Sequence, residues 1–413
     1  MINFEKFELE NGLKVIVHED KSTPLVAMNI LYQVGARDED ADKTGFAHLF
    51  EHLMFGGSIN IPSYDEPLQK AGGDNNAFTN NDITNYYLTI PAVNLETGFW
   101  LESDRMLSLA FTEKSLDVQR NVVVEEFKQR YLNQPYGDAW LKLRPLAYKV
   151  HPYQWATIGK EISHIEDATL QDVKDFFKKW YAPNNAILTL AGNCSLEKAK
   201  ELCQKWFAPI PAVELPKRNL PKEPQQTEMR RLEVKGDVPS NQIYLAFHCC
   251  NRFDKDFYAT DLLSDVLSRG KSSRMYQQLV KEQMLFTDIG AYMLGDLDES
   301  LILIEGKISD GINPADAENA IFNLIEDLKN GISEKELEKI KNKAYSTLVF
   351  SEMSIANKAL NLAYFEMLGD AELANQQEIL YNSVKTDDII NIAKTVLTKE
   401  NCSVLTYLSN HHA

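Results

Sequence analysis

Apolar and polar positions alternate along this chain in two rhythms, and the same order of strand-like and helix-like stretches occurs twice. Short β-branched or alternating runs bounded by turn residues mark strands. The first half opens on "FELENGLKVIVHED", where Asn11-Gly12 supplies a hairpin turn, and continues with "PLVAMNILYQVG", "NYYLTIP" and "AILTLAG". The second half offers "RRLEVKGD", "NQIYLAFHCC", "SLILIEGKI" and "CSVLTYL". Helical spacing is clear in "EKSLDVQRNVVVEEFKQRYL", "LQDVKDFFKKWY", "EKELEKIKNKAYSTLVFSE" and "TDDIINIAKTVL". Between Phe207 and Glu228 the periodicity stops. That stretch carries Pro209, Pro211, Pro216, Pro221 and Pro224, the composition of an extended, semi-rigid linker. The pattern therefore predicts an α+β protein of two domains. Residues 1–208 form the first, 209–228 the linker and 229–413 the second, each an antiparallel-rich sheet packed with helices.

The halves read as a duplication. Setting Ala77 over Ala291 brings Gly56 over Gly270, Phe78 over Tyr292 and "NVVVEEF" over "KELEKIK". Few identities survive, but pattern and order agree.

One segment breaks the apolar pattern. "GFAHLFEHLMFGG", Gly45 to Gly57, reads as a core helix yet holds His48, Glu51 and His52. Residues four apart share a helix face, so both imidazoles can turn to one ion. Glu51 sits at the edge of that face, within reach of a water on the ion. The string H-x-x-E-H reverses the H-E-x-x-H pattern of zinc hydrolases. Three ionisable groups on a buried helix are costly unless paired or bound to a metal. A catalytic zinc takes three protein ligands and keeps one position open. The helix "LDVQRNVVVEEFKQR" offers Glu125 and Glu126 for the third place. Val122, Val123 and Phe127 are expected to line its buried stripe, with Glu126 one turn after Val122. Under the duplication, His48, Glu51, His52 and Glu126 fall on Leu262, Asp265, Val266 and Ile340, so only the first copy holds the polar cluster.

Composition narrows the function. The chain has 413 residues and a formal charge of −17. That charge argues against non-specific nucleic-acid binding, which needs a basic footprint. No apolar run approaches the roughly 18 residues that span a bilayer. The start "MINFEKFELENGLKVIVHED" lacks the basic and apolar regions of a signal peptide. The expectation is a soluble cytoplasmic chain with no membrane or nucleic-acid partner, a periplasmic location staying open. Its five cysteines, Cys194, Cys203, Cys249, Cys250 and Cys402, are odd in number and show no C-x-x-C spacing. They read as reduced and mostly buried thiols.

With these motifs in place the chain resembles the pitrilysin (insulinase) family of inverted zincins, in the half-sized bacterial branch that is similar to the beta subunit of the mitochondrial processing peptidase. "RNVVVEE" is similar to the family's ligand helix, and the resemblance assigns Glu126 as third zinc ligand beside His48 and His52, with Glu51 as general base. It covers nearly the whole chain, including "VGARDED" before the motif and "HPYQWATIG" after it, where Gln154 replaces a glycine. His151 of that loop reads as structural. Within "AGGDNNAFTNNDITNYYLTIP", the resemblance makes Asn76, Ala77 and Phe78 an edge for extended substrate. It implies a zinc endopeptidase that digests unfolded peptides inside a clamshell chamber. The alternative is a non-catalytic, core-like subunit of a larger complex, which predicts eroded ligands; here they are intact. One departure matters. Active members hold substrate with an Arg/Tyr pair from the second half. In "SSRMYQQLVKEQMLFTDIGAYM", Arg274 and Tyr276 match the start of that pattern, but the Arg of the pair is Lys281 or absent, depending on a one-residue gap, and Phe286 or Thr287 stands where its Tyr belongs. The resemblance thus implies a dimer: a heterodimer with a zinc-less homologous subunit supplying the pair, or a homodimer.

Overall fold

Two sheets organise the computed structural model, which describes residues 1–410. The first contains β1 (Glu5–Glu8), β2 (Lys14–Glu19), β3 (Leu25–Tyr32), β4 (Asp74–Thr79), β5 (Thr84–Pro91) and β6 (Ala186–Gly192) in the order β1-β2-β6-β3-β5-β4. The second contains β7 (Arg230–Gly236), β8 (Gln242–Cys249), β9 (Phe286–Met293), β10 (Ser300–Ile308) and β11 (Cys402–Ser409) in the order β7-β11-β8-β10-β9. β2 runs parallel to β6, and β7 parallel to β11; every other pair is antiparallel. Apart from β1, the two sheets repeat one order and one set of directions. The duplication suspected from a few aligned residues is thus carried by topology.

All eight strand runs read from the pattern are strands, and the four helical runs lie in Glu113–Phe127, Leu170–Trp180, Glu334–Ser351 and Thr386–Val396. β4 and β9, the edge strands at the end of each sheet, had no comparable apolar signature: "DNNAFT" and "FTDIGAYM" are too polar or too irregular. The hairpin turn between β1 and β2 uses Gly12 at φ +82°, where an added Cβ would meet Asn184 Cβ at 2.8 Å.

The packing departs from the expected contiguous domains. One compact unit comprises Met1–Phe127, Trp155–Leu220 and Val349–Gln377; the other comprises Lys128–Gln154, Pro221–Leu348 and the chain from Glu378 onward. Each half of the sequence lends a segment to the other half's sheet. In the first unit the helix Ile355–Met367 lies on β3 and β6, with Ala359 against Ala27 and Ala191, and Leu362 and Phe365 in a cluster with Ile16, Leu31 and Ile187. In the second unit the helix Ala139–Ala147 puts Ala139, Leu143 and Ala147 among Tyr244, Leu301, Leu303 and Leu405. Small side chains let a helix approach a sheet closely, and both contacts bury apolar surface at about 25 cal/mol per Å².

The proline-rich stretch contains neither helix nor strand between Trp206 and Arg230. It is strapped down, not loose. Within the first unit Asn11 Nδ2 donates to the carbonyls of Phe207 and Ile210, both at 2.8 Å, and Arg218 Nε donates to Asp38 at 2.7 Å. Within the second, Glu223 accepts from the amides of Lys149, Val150 and His151 at 2.7, 3.0 and 3.0 Å. All five cysteines are free thiols, four of them buried. Among the described residues, no helix is long and apolar enough to cross a membrane.

Candidate metal centre

The motif forms a helix from Phe46 to Leu53 in the first unit. Its apolar positions fix its placement. Phe46, Leu49, Phe50 and Leu53 are buried, and the Phe50 ring lies 5.0–5.1 Å from those of Phe176 and Tyr181. Tyr86 of β5 donates to the Phe50 carbonyl at 3.3 Å. The helix starts at Gly45 with φ +89°, where a Cβ would lie 2.7 Å from the Ile158 carbonyl oxygen. Only glycine suits that left-handed, crowded position. Glu39 accepts the amide hydrogens of Gly45 and Ala47 at 2.9 and 2.8 Å. It satisfies donors that a helix N-terminus leaves open. Burial pushes its pKa up to about 8 against the pull of those two amides.

The other face of the helix turns to Glu113–Phe127. Leu116, Val123, Val124 and Phe127 bury that ligand helix. Val122 does not belong to the buried stripe, as the sequence had suggested; it is exposed, one turn before Glu126 on the same side. A helical turn places four-apart residues together, so Glu126 emerges half-buried on the open side of the contact. Glu125 is exposed.

His48, His52 and Glu126 converge. His48 Nε2 lies 3.2 Å from Glu126 Oε2, His52 Nε2 lies 3.3 Å from the same oxygen, and the two Nε2 atoms are 3.3 Å apart. A tetrahedral zinc with bonds of about 2.0–2.1 Å sets its ligand atoms about 3.3–3.4 Å apart. The triangle therefore has the edge length of one face of such an ion, and its two nitrogens and one carboxylate oxygen suit zinc. It is also the one such metal-ready group among the described residues. Glu51 stands beside it, with Oε2 3.8 Å from His48 Nδ1 and accepting the Thr79 hydroxyl at 2.7 Å.

The charges fit a site built for a cation. Burial disfavours a charged His48, but Glu126 and Glu51 outweigh it and raise the pKa to about 9. Burial likewise opposes ionisation of Glu51, and His48 and Thr79 overcome it, holding the carboxylate below its usual range. A proton on His48 thus supplies part of the positive charge that two carboxylates demand.

The other candidate residues lie as follows. Asn76, Ala77 and Phe78 are on β4, which pairs with β5 on one side only. The Ala77 amide donates to Asn76 Oδ1 at 2.8 Å, and Phe78 packs half-buried on the cluster of Ile2, Ile83 and Leu362. In the second unit, Arg274 is held by Glu336 through two bonds of 2.9 Å and by the Gly331 carbonyl at 2.8 Å. Tyr276 is half-buried at the start of a π-helical segment, Tyr276–Glu282. Phe286 is buried at the start of β9, and Lys281 is exposed. No tyrosine hydroxyl stands where the resemblance called for one. His151 is buried, its Nδ1 accepting the Tyr153 amide at 3.2 Å, as a loop-structural residue would be. Two residues of the site were not singled out beforehand: Glu39 and Thr79. Glu39 had a weak signal, an acid in "VGARDED" just ahead of a glycine-started helix.

Comparison with known proteins finds relatives along nearly the whole chain. Residues 14–142 match the model of the insulinase family, peptidase family M16, and residues 167–344 match the peptidase M16 inactive domain. A Helicobacter pylori protein named zinc protease PqqE is 30% identical over 398 residues, covering 94% of this chain and 89% of that one. A Bacillus subtilis protein named uncharacterized zinc protease YmxG is 22% identical over 399 residues, covering 96% of each. The crystal structure of a protease from Helicobacter pylori superposes with a TM-score of 0.92 at 29% identity, covering 98% of this chain and all of that one.

Proposed function

The chain belongs to peptidase family M16, the insulinase family, and from that premise we propose that it is a zinc metalloendopeptidase cleaving unfolded peptides. The observation that carries this reading is the triangle of His48 Nε2, His52 Nε2 and Glu126 Oε2, with sides of 3.2–3.3 Å and the Glu51 carboxylate beside it. Those three residues would hold the metal. When bound, zinc supplies Lewis acidity to a water and to the scissile carbonyl. Glu51 takes a proton from the attacking water and hands it to the leaving amine. The substrate adds as a strand along the free edge of β4 at Asn76–Phe78. Main-chain hydrogen bonds then give grip with little sequence preference. Because Phe78 already packs on the core, that residue contributes chiefly through its backbone.

The second unit bears on partners. Arg274 is engaged by Glu336 and Phe286 is buried. This supports a dimer in which a zinc-less homologous subunit closes on this chain around a chamber and supplies the missing Arg and Tyr.

Purified chain should bind one zinc and cleave a fluorogenic peptide, with a homologous partner raising the rate. A chelator should stop cleavage and added zinc restore it. Zinc bound without cleavage in either state would favour peptide capture. Failure to bind zinc would favour the core-like, non-catalytic subunit.

A further inference from the structure

The Thr79 hydroxyl donates to Glu51 Oε2 at 2.7 Å. His48 Nδ1 also faces that oxygen, at 3.8 Å, too far for a well-formed hydrogen bond. Oε2 is therefore anchored, and among the described residues no hydrogen bond ties Oε1. A hydrogen bond to an ionised oxygen is short and roughly twice as strong as a neutral one, so it fixes the rotation of the carboxylate.

The anchor itself is rigid. Thr79 is the last residue of β4 and pairs with Thr84 of β5. The turn after it is closed by Asn80, whose amide donates to the Ile83 carbonyl at 3.0 Å. Asn80 Oδ1 in turn accepts the amides of Asp82 and Ile83 at 2.8 and 2.9 Å. The turn is bound in its own right to the segment before the motif helix: the amides of Ala36 and Arg37 donate to the carbonyls of Asn80 and Asn81 at 3.1 and 2.9 Å. Arg37 pairs with Asp82 at 3.1 Å, both nearly buried. Gly35 approaches so closely that a Cβ there would fall 2.4 Å from the Asp82 nitrogen. That segment also carries Glu39, which caps the motif helix. Thr79 and the start of the helix bearing Glu51 thus rest on one support.

We propose that Thr79 is a positioning residue for Glu51: it ties down Oε2 and leaves Oε1 as the oxygen that takes the proton from the attacking water. This rests on the peptidase reading above, and it adds a coupling. The strand that receives the peptide at Asn76–Phe78 ends on the residue that aligns the base, so the same strand orders substrate and carboxylate. Thr79 touches neither substrate nor metal in this account. It acts through Glu51.

The test compares Thr79→Val, which keeps shape and removes the donor, with Thr79→Ser, which keeps the donor. One readout needs no turnover. In a crystal structure of the zinc-loaded Thr79→Val chain, the Glu51 carboxylate should leave its wild-type position while His48, His52 and Glu126 stay in place. A Glu51 carboxylate that stays put overturns the proposal. The second readout is kinetic. Thr79→Val should lower kcat about 10–100-fold, with KM and zinc content near wild type, and Thr79→Ser should recover most of the rate. A Thr79→Val chain with wild-type kcat, or with KM raised and kcat intact, overturns it. If the wild-type chain with zinc cleaves no peptide, the peptidase reading has failed, and the position of Glu51 in the variant decides the anchor alone.

Discussion

The motif helix Phe46–Leu53 and its counterpart Phe257–Ser268 occupy corresponding places in two units that share one five-strand pattern. In the first, the side chains of His48, His52 and Glu126 are 14%, 24% and 17% exposed and face one another. In the second, Leu262, Val266 and Ile340 hold those positions at 0%, 1% and 0% exposure within a single apolar cluster. Where Glu51 stands in the first, Asp265 stands in the second, paired with Arg269 one turn on at 2.6 Å. The scaffold is satisfied by aliphatic packing at these places. The polar triangle takes no part in such packing, and it opens the site to water where the other copy is closed.

The largest effect should come from making the first copy like the second. The triple variant His48→Leu, His52→Val, Glu126→Ile should lose zinc and all peptide cleavage. Its metal-free stability should stay level or rise by about 1–4 kcal/mol, as replacing buried ionic groups by apolar ones often does. Denaturant unfolding with zinc analysis measures both; a folded triple variant that still holds zinc at full stoichiometry would break the comparison. Next, Glu51→Gln should cut kcat by roughly 10²–10⁴-fold with zinc retained. Wild-type turnover by that variant would remove Glu51 as the base. In the second unit, Leu262→Ala should cost about 2–5 kcal/mol, and His48→Ala in the metal-free chain much less above pH 9, where His48 has lost the proton that pairs it with Glu126 and Glu51. Equal losses would mean that the histidine is as much a core residue as the leucine.

The smallest effect is one of pH. The His48 pKa of about 9 exceeds the ordinary imidazole value of 6.5. Its contribution to metal-free stability is therefore complete below pH 6.5 and is lost as pH rises through 9, by roughly 3 kcal/mol at most. Zinc must displace that proton, so its apparent affinity should rise about tenfold per pH unit across the same window. Titration calorimetry in buffers of different ionisation heat checks it; the triple variant should show neither trend.

Much of this was legible in residue order. The helical spacing of His48 and His52 and the apolar positions around them announced the motif, and β-branched runs announced the inner strands. What stayed hidden depends on contacts distant in sequence. The edge strands β4 and β9 are half-solvated and carry no strong alternation. The exchange of helices between sheets turns on close packing of Ala27, Ala191 and Ala359, and small residues leave little trace in a hydrophobic pattern. Val122 looks like its buried neighbours Val123 and Val124, and only the packing of the ligand helix decides which valine faces out. The hydrogen bond from Thr79 to Glu51 joins two elements across a turn of structure that no local spacing encodes.

The central claim is that one copy of a duplicated scaffold has been fitted with a zinc site. Anomalous diffraction from crystals of the zinc-soaked chain, at energies on either side of the zinc absorption edge, tests it most directly. The account predicts one strong peak among His48 Nε2, His52 Nε2 and the Glu126 carboxylate, and none at Leu262, Val266 and Ile340. A chain that binds zinc elsewhere, leaving that triangle empty, would contradict it.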